Sequence, residues 1–378
     1  MKNTLLILLL ALSFTTLSQS YNLQSGINNY REDKYDEALA FLKKEIAQNP
    51  KEGKAYYYLA LINMEKETYA QGLTQVNLAI ANLNPTDTLV AFAWQLKGDI
   101  YYHLDDVEKF ETSYAKAISL NASAPSIYYG RAFDYGGFKQ YEKAIADINK
   151  VLELDEGSIR ARDLLATLYL SQEKYDDLIK VCDRIIKLDP TFASAYDNRS
   201  YAYYQVGKYD LAIQDSYTAL SLDEKNSRIR ANYITFSKKN YTLGLAKIAS
   251  LIKEYPQKDI WVYVRSQLYR YKKDYKNALA DFSKIFEMIP ESYRSSFLTA
   301  RAELYAEMGM HDKSIVDYTE SISLDSSSAS DYGSRGDEYR LTGNYAASIK
   351  DLDKAIEMDP EQPWFYYRRG WVKDEFLK

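Results

Sequence analysis

An arginine is followed, 16 residues later, by an aspartate at several points in this chain. Five such pairs are Arg131 with Asp147, Arg199 with Asp215, Arg265 with Asp281, Arg301 with Asp317, and Arg335 with Asp351. A guanidinium can hold a carboxylate through two parallel hydrogen bonds, and carboxylates also act as acids and bases in catalysis. The repeated spacing therefore predicts either a chemical site that is used several times or a structural bond that is made several times.

Other residues suited to catalysis or metal binding are scarce. The chain has two histidines, His103 and His311, and one cysteine, Cys182. It contains no HExxH sequence, no pair of cysteines and no glycine-rich loop that could hold a phosphate. We therefore predict a protein that is not an enzyme and that has no metal and no cofactor. A hydrolase using two of the 53 acidic residues is the least favoured hypothesis, because nothing singles out a pair.

The composition is that of a folded chain rather than a disordered one. Of the 378 residues, 46% are hydrophobic and 27% are charged, and the formal net charge is −5. Charges of both signs are mixed along the chain, which disfavours nucleic acid as a partner because such a partner needs a concentrated basic surface. Tyrosine is unusually abundant, with 37 copies.

The first 20 residues have the pattern of a secretory signal peptide. Lys2 precedes an apolar run from Leu5 to Leu12, and the small residues Ser18 and Ser20 suit cleavage after Ser20. A membrane anchor is the weaker alternative, because a spanning helix needs about 20 apolar residues. We therefore expect an exported protein, periplasmic or secreted, that is not an integral membrane protein. Its lone Cys182 cannot form an internal disulfide, and we expect it to be buried.

The chain repeats itself with a period of 34 residues. The stretch KYDLAIQDSYTALSLDE, for example, matches KYDDLIKVCDRIIKLDP one period earlier and NYAASIKDLDKAIEMDPE near the C-terminus. A second helical pattern precedes each copy, so each repeat is predicted to be helix, turn, helix, turn. Ten repeats are predicted, starting near Gln19, Gly53, Ala91, Pro125, Ile159, Ala193, Lys225, Asp259, Ser295 and Ala329.

These repeats resemble the tetratricopeptide repeat (TPR) family. Positions within one repeat are here called places 1 to 34, counted from the start of its first helix. In the family, small residues at places 8 and 20 let the two helices of a repeat approach each other, and large residues fill the space between repeats. The repeat from Ala193 shows the pattern at places 4, 8, 11, 20 and 27: Tyr196, Ser200, Tyr203, Ala212 and Ala219. The resemblance implies an all-α fold, an α-α superhelix of ten repeats over residues 21–362. A C-terminal capping helix over residues 363–378 follows. Stacking of neighbouring repeats is needed to bury their apolar faces.

Within this frame the five arginines all fall at place 7 and the five aspartates at place 23. The other five repeats lack both residues. Removing one member of a buried ion pair costs roughly 3–5 kcal/mol, whereas replacing both members can cost little. The pattern therefore predicts partly buried salt bridges within repeats. A recent duplication of these five repeats would explain the same pattern, and the sequence does not separate the two explanations.

The resemblance also implies a binding surface. In the family, places 2, 5, 9, 12 and 13 of the first helix line a concave inner face. On this chain these places include Tyr57, Tyr102, His103, Tyr129, Phe133, Tyr201, Tyr204, Tyr233, Phe236, Tyr263, Arg270 and Tyr271. Exposed aromatic surface usually marks a recognition site. We therefore predict binding of a protein or peptide partner, with glycan binding through the same tyrosines as the alternative, although some of these rings can instead pack between helices.

Two segments depart from the repeat pattern. The repeat near Lys225 is about two residues short, carries Asn232 at the small-residue place and lacks the ion pair, which predicts a bend or a functional seam. The final segment, PWFYYRRGWVKDEFLK, begins an eleventh repeat and then stops. A capping helix should be polar outside, yet this one contains Trp364, Trp371 and Phe376. An end-to-end homodimer through this helix is therefore a further hypothesis.

Overall fold

The structure is a computed structural model that describes residues 21–376. The predicted signal peptide, residues 1–20, lies outside the described residues. The described chain forms two compact units that divide between Pro190 and Thr191, here called the N-terminal half and the C-terminal half. Within the described range every regular element is a helix, which confirms the all-α class and the helix-turn-helix repeats.

The N-terminal half contains helices α1 to α10. Residues 21–31 form α1. The others are α2 (Tyr35–Gln48), α3 (Gly53–Glu65), α4 (Tyr69–Asn82), α5 (Leu89–His103), α6 (Val107–Leu120), α7 (Pro125–Gly137), α8 (Tyr141–Leu154), α9 (Ile159–Ser171) and α10 (Tyr175–Leu188). The first helix of each pair also contacts the first helix of the next pair, from α3 to α5, α7 and α9, so these helices form one continuous wall.

The C-terminal half contains helices α11 to α21. They are α11 (Ala193–Gln205), α12 (Tyr209–Leu222), α13 (Ser227–Ser237), α14 (Tyr241–Glu254), α15 (Asp259–Tyr271), α16 (Tyr275–Met288), α17 (Ser295–Glu307), α18 (His311–Leu324), α19 (Ala329–Leu341), α20 (Tyr345–Met358) and α21 (Pro363–Phe376). A short 3-10 turn, Glu291–Tyr293, precedes α17. None of the helices in residues 21–376 is long and apolar enough to cross a membrane.

The small-residue places have the packing role that the pattern predicts. Ala132 and Ala144, at places 8 and 20 of one repeat, are both fully buried. At place 8 of the preceding repeat, a Cβ added to Gly98 would lie 2.5 Å from the ring of Tyr114. A larger side chain would therefore push the two helices apart. Cys182 is fully buried, as predicted.

All five predicted Arg–Asp salt bridges are present. In the first, Nε and Nη2 of Arg131 donate to the two carboxylate oxygens of Asp147, each at 2.7 Å. The other four pairs use the same two donors. The aspartate side chains are only 4–9% exposed and the arginines 14–22%. The prediction of partly buried salt bridges within repeats is thus confirmed.

The short repeat near Lys225 is shortened inside its first helix. Helix α13 has 11 residues where α11 and α15 each have 13, whereas the turn from Leu222 to Ser227 is as long as the turn from Leu188 to Ala193. Counting places from Lys225 therefore shifts the assignment by two residues. Because each residue advances a helix by about 100°, that shift exchanges the inner and outer faces.

This shift makes the prediction wrong for two residues of α13. Tyr233 and Phe236 are 0% and 2% exposed, so neither lies on an open surface. The hydroxyl of Tyr233 donates to the carbonyl of Gly244 at 2.6 Å, and Phe236 stacks on Tyr204 with ring centroids 4.6 Å apart. Ser237, rather than Asn232, lies against Gly244 at the close approach between the two helices.

Helix α21 packs against α20 and α19. Its two tryptophans are half-buried rather than exposed, and the guanidinium of Arg340 lies 4.1 Å from the ring centroid of Trp371. The exposed aromatic residues of this helix are Tyr366 and Tyr367, at 42% and 70%. The tryptophans therefore offer less exposed surface for a homodimer contact than the sequence predicts. The side chain of Phe376 lies outside the described part of the chain.

Candidate functional site

The N-terminal half has a pocket of about 510 Å³ on the wall formed by its first helices. Three of the predicted concave residues line it: His103 from α5, and Tyr129 and Phe133 from α7. Arg160, from α9, completes one side. The pocket exists because stacked first helices place equivalent turns of successive repeats beside one another.

Aromatic side chains form the walls of this pocket. Phe133 is 57% exposed, which is unusual for a phenylalanine. The guanidinium of Arg160 lies 4.4 Å from the ring centroid of Tyr129, a cation–π geometry. His103 is held by stacking on Tyr69, with centroids 4.5 Å apart and rings nearly parallel. The walls thus combine one open aromatic face with two rings that are already held in place.

The floor of the pocket is a pair of carboxyl groups, Asp99 from α5 and Asp134 from α7. The hydroxyl of the fully buried Tyr114 hydrogen-bonds to Asp99 and lies 3.2 Å from an oxygen of Asp134. The two carboxyl groups also hydrogen-bond to each other. Two carboxylates this close cannot both ionise easily, so one proton is shared between them.

Burial governs the protonation of this floor. Removal from water raises the pKa of both Asp99 and Asp134, and the charge of Asp99 raises the pKa of Asp134 further. Burial also raises the pKa of the Tyr114 hydroxyl well above its ordinary value, so this group remains a donor. At neutral pH the pair therefore carries about one negative charge.

Asp99 and Asp134 were absent from the predicted site, although the sequence carries a signal for each. Asp99 stands at place 9, one of the concave places, but it is not aromatic and so does not belong to the predicted aromatic face. Asp134 stands at place 10, where other repeats have the buried apolar residues Ile62, Ile100 and Leu168. A carboxyl group at an otherwise apolar place indicates a special local environment.

The two other predicted residues of this half lie outside the pocket. Tyr57 is half-buried, with its ring edge-on to Tyr58 at 5.6 Å, and burial raises the pKa of its hydroxyl. Tyr102 is half-buried against Phe138, with centroids 4.9 Å apart. Both rings contribute to packing between helices, which is the alternative that the sequence left open for such tyrosines.

The C-terminal half has a pocket of about 540 Å³ with a different chemistry. Arg270 and Tyr271 of α15 line it, as do Lys238 and Lys273. Tyr271 is 45% exposed, and the ammonium of Lys238 lies 5.5 Å from its ring centroid. Among the residues that the structure describes, no carboxylate forms an ion pair with either lysine.

Arg270 is already engaged inside its own half. It donates to Glu307 at 2.6 and 3.0 Å and to Glu303 at 2.9 Å. Tyr233 and Phe236 are buried, and the other three predicted residues of this half are half-buried and lie outside the pocket: Tyr201, Tyr204 and Tyr263. Tyr263, for example, packs edge-on against Phe297 at 5.6 Å. The predicted aromatic face is therefore divided between two small pockets and ordinary packing.

Family profiles match most of the repeats described above. A profile described as "Tetratricopeptide repeat" matches residues 93–123, 125–158, 193–226 and 295–328, a second profile of that description matches residues 23–88, and one described as "TPR repeat" matches residues 336–372. The chain belongs to the tetratricopeptide repeat family. The five Arg–Asp bonds and the two pockets are thus features of a TPR protein.

Individual relatives are distant. The chain is 28% identical over 215 residues to the TPR repeat-containing protein MJ1428 of Methanocaldococcus jannaschii, covering 54% of this chain and 37% of that one. It is 24% identical over 316 residues to the DnaJ protein P58IPK homolog B of rice, covering 80% and 62%. It spans less than two thirds of the length of each. The solved structure of yeast Tom70 aligns over 94% of this chain and 95% of that one, with a TM-score of 0.44 and 13% identity.

Proposed function

We propose that this TPR protein is a non-catalytic, exported scaffold that binds a protein or peptide partner in the N-terminal pocket. The observation that carries the proposal is the open face of Phe133 above a polar floor. Recognition sites combine exposed aromatic surface with a few convergent polar groups. Proteins built from stacked repeats commonly bind partners along the surface that their first helices form.

The carboxyl pair does not have the geometry of a glycoside hydrolase. The two carboxyl groups of such an enzyme stand about 5–9.5 Å apart on either side of the scissile bond. Asp99 and Asp134 instead hydrogen-bond to each other, and the hydroxyl of Tyr114 lies against both. This arrangement holds a shared proton in place and leaves no gap between the two groups for a sugar, which favours binding over hydrolysis.

Site-specific photocrosslinking tests the binding proposal. A photoreactive phenylalanine analogue is placed at position 133 of the full chain in cells that naturally make it, and crosslinked species are identified by mass spectrometry. A matched control carries the analogue at Leu188, which is 48% exposed in the same half but does not line the pocket. We expect a discrete protein adduct at 133 and none at 188. Equal, diffuse labelling at both positions would refute a partner in this pocket.

The glycan alternative and the export proposal each have a direct test. Retention on a panel of polysaccharides that is lost in Phe133→Ala would favour the glycan alternative over a protein partner.

For export, N-terminal sequencing of the protein recovered from cells should give a chain that begins at Tyr21, since cleavage is expected after Ser20. Recovery of the intact chain with Met1 from the cell interior would contradict export.

A further inference from the structure

We propose that the N-terminal pocket takes a lysine or arginine side chain of the partner, with its charge on the Asp99–Asp134 pair and its methylene stem along Phe133. This inference rests on the proposed function, because it names the chemistry of the group that enters the same pocket. It is argued from three observations: an uncompensated buried charge, an open aromatic face, and a local example of the same contact.

The first observation is how the other buried aspartates are satisfied. Five of them hold an arginine through two hydrogen bonds, and Asp197 is paired with Arg228 at 2.8 Å. The exception is Asp331, which accepts hydrogen bonds from the hydroxyls of Thr299 and Ser321 and has no second carboxyl group beside it in the described part of the chain. The Asp99–Asp134 pair has no cationic partner among residues 21–376. A buried charge without a counterion is costly, so a cation from outside would gain more here than at an exposed carboxylate.

The second observation is the shape of the pocket between its opening and the carboxyl pair. The pocket of about 510 Å³ leads from the exposed ring of Phe133 down to Asp134, which is only 6% exposed. Long basic side chains lay their methylene groups along apolar surface and extend the charge beyond it. A lysine or arginine is therefore long enough to cross the aromatic rim and reach the carboxyl pair, whereas an acidic side chain would meet a charge of its own sign.

The third observation is the contact between Arg160 and Tyr129. A guanidinium 4.4 Å from an aromatic centroid shows that the rim already accepts a cation on one of its rings. Arg160 is exposed and lies at the rim, whereas the carboxyl pair lies at the floor. The ring of Phe133, on the same helix one turn further on, offers an equivalent face for a cation supplied by the partner.

The test uses peptides as probes of the mature protein. A phage-displayed library of random octapeptides is selected against the immobilised full mature chain. We expect selected peptides to share a lysine or arginine at one position, and replacing that residue by norleucine in a synthetic peptide should weaken binding at least tenfold. The double variant Asp99→Asn/Asp134→Asn should lose affinity to the same degree. Glu156→Gln, an exposed acid in the same half and outside the pocket, should not.

The outcomes separate the two proposals. If no peptide is selected, both the peptide-binding function and this inference are overturned. If peptides are selected that lack a shared basic residue, or that bind the double Asn variant as tightly as the native chain, peptide binding stands and only this inference falls. The fold of the double variant is checked by its melting temperature. If it does not fold, the norleucine peptide and the single Asp99→Asn variant decide, since Asp99 is half-buried rather than buried.

Discussion

The two halves of the chain use the same repeat but treat its aromatic residues and aspartates differently. On α7 of the N-terminal half, Phe133 is 57% exposed, whereas on α13 of the C-terminal half Phe236 is 2% exposed. Four of the five Arg–Asp bonds lie in the C-terminal half, beginning with Arg199 and Asp215. The N-terminal half has one, together with a carboxyl pair that no cation within residues 21–376 neutralises. The repeat frame thus determines where a side chain stands, and its neighbours determine whether it packs or remains open.

The largest expected effect tests the contrast between the two phenylalanines. Phe236→Ala removes a buried ring that stacks on Tyr204, and we expect a loss of about 3–5 kcal/mol in the free energy of unfolding. Phe133→Ala removes a mostly exposed ring, so its cost should stay within about 0.5 kcal/mol. Urea unfolding of both variants measures the difference. Similar costs for the two would mean that Phe133 is part of the core and would remove the open aromatic face from the proposed site.

The Arg–Asp bonds offer the next largest effect. Arg199→Ala leaves the carboxylate of Asp215 with its side chain only 9% exposed and without its main counterion. We expect the free energy of unfolding to fall by about 3 kcal/mol. This is near the low end of the cost of removing one member of a buried ion pair, because Arg199 is itself 17% exposed. The double variant Arg199→Ala/Asp215→Ala should lose clearly less. A single variant no less stable than the double variant would show that the two residues are not coupled and would leave shared duplication as the explanation of their distribution.

The comparison also shows how far sequence reasoning reaches. The period, the helix pairs and the Arg–Asp bonds were predictable because each depends on contacts inside one repeat, at a fixed separation along the chain. Tyr233 and Phe236 were misplaced because a two-residue deletion could not be located within its repeat, and on a helix that error exchanges the faces. Asp99 and Asp134 were missed for another reason. Their pairing joins two different repeats and depends on a third residue, Tyr114, that fills the space between them.

The carboxyl pair should make the N-terminal half sensitive to pH. Burial raises the pKa of Asp134 in the folded state above its unfolded value, so the folded state retains a proton that the unfolded state has released. Stability should therefore fall as pH rises from about 5 to about 8, with a slope of at most about 1.4 kcal/mol per pH unit for one proton. Asp134→Asn keeps the neutral form and should flatten this slope.

Hydrogen exchange of the amides in α7, corrected for the intrinsic exchange rate at each pH, measures the stability of the N-terminal half separately from that of the C-terminal half. Glu156→Gln serves as the control, because it removes an exposed acid of the same half and should keep the native slope. If the α7 amides of the native protein are equally protected at about pH 5 and at about pH 8, the carboxyl pair does not hold a shared buried proton.

The smallest expected effect concerns the turn between the helices of a pair. Lys139, in the turn after α7, has φ +59, whereas Gly207 occupies the matching turn after α11 with φ +78. A left-handed conformation costs a residue with a Cβ roughly 1–2 kcal/mol, and glycine avoids this cost. Glycine also loses more conformational entropy on folding, which offsets part of that advantage. Lys139→Gly should thus stabilise the protein by about 0.5–1 kcal/mol, and Gly207→Ala should destabilise it by a similar amount. Urea midpoints measure both, and a loss of stability in Lys139→Gly would mean that the lysine side chain contributes more than its strained backbone costs.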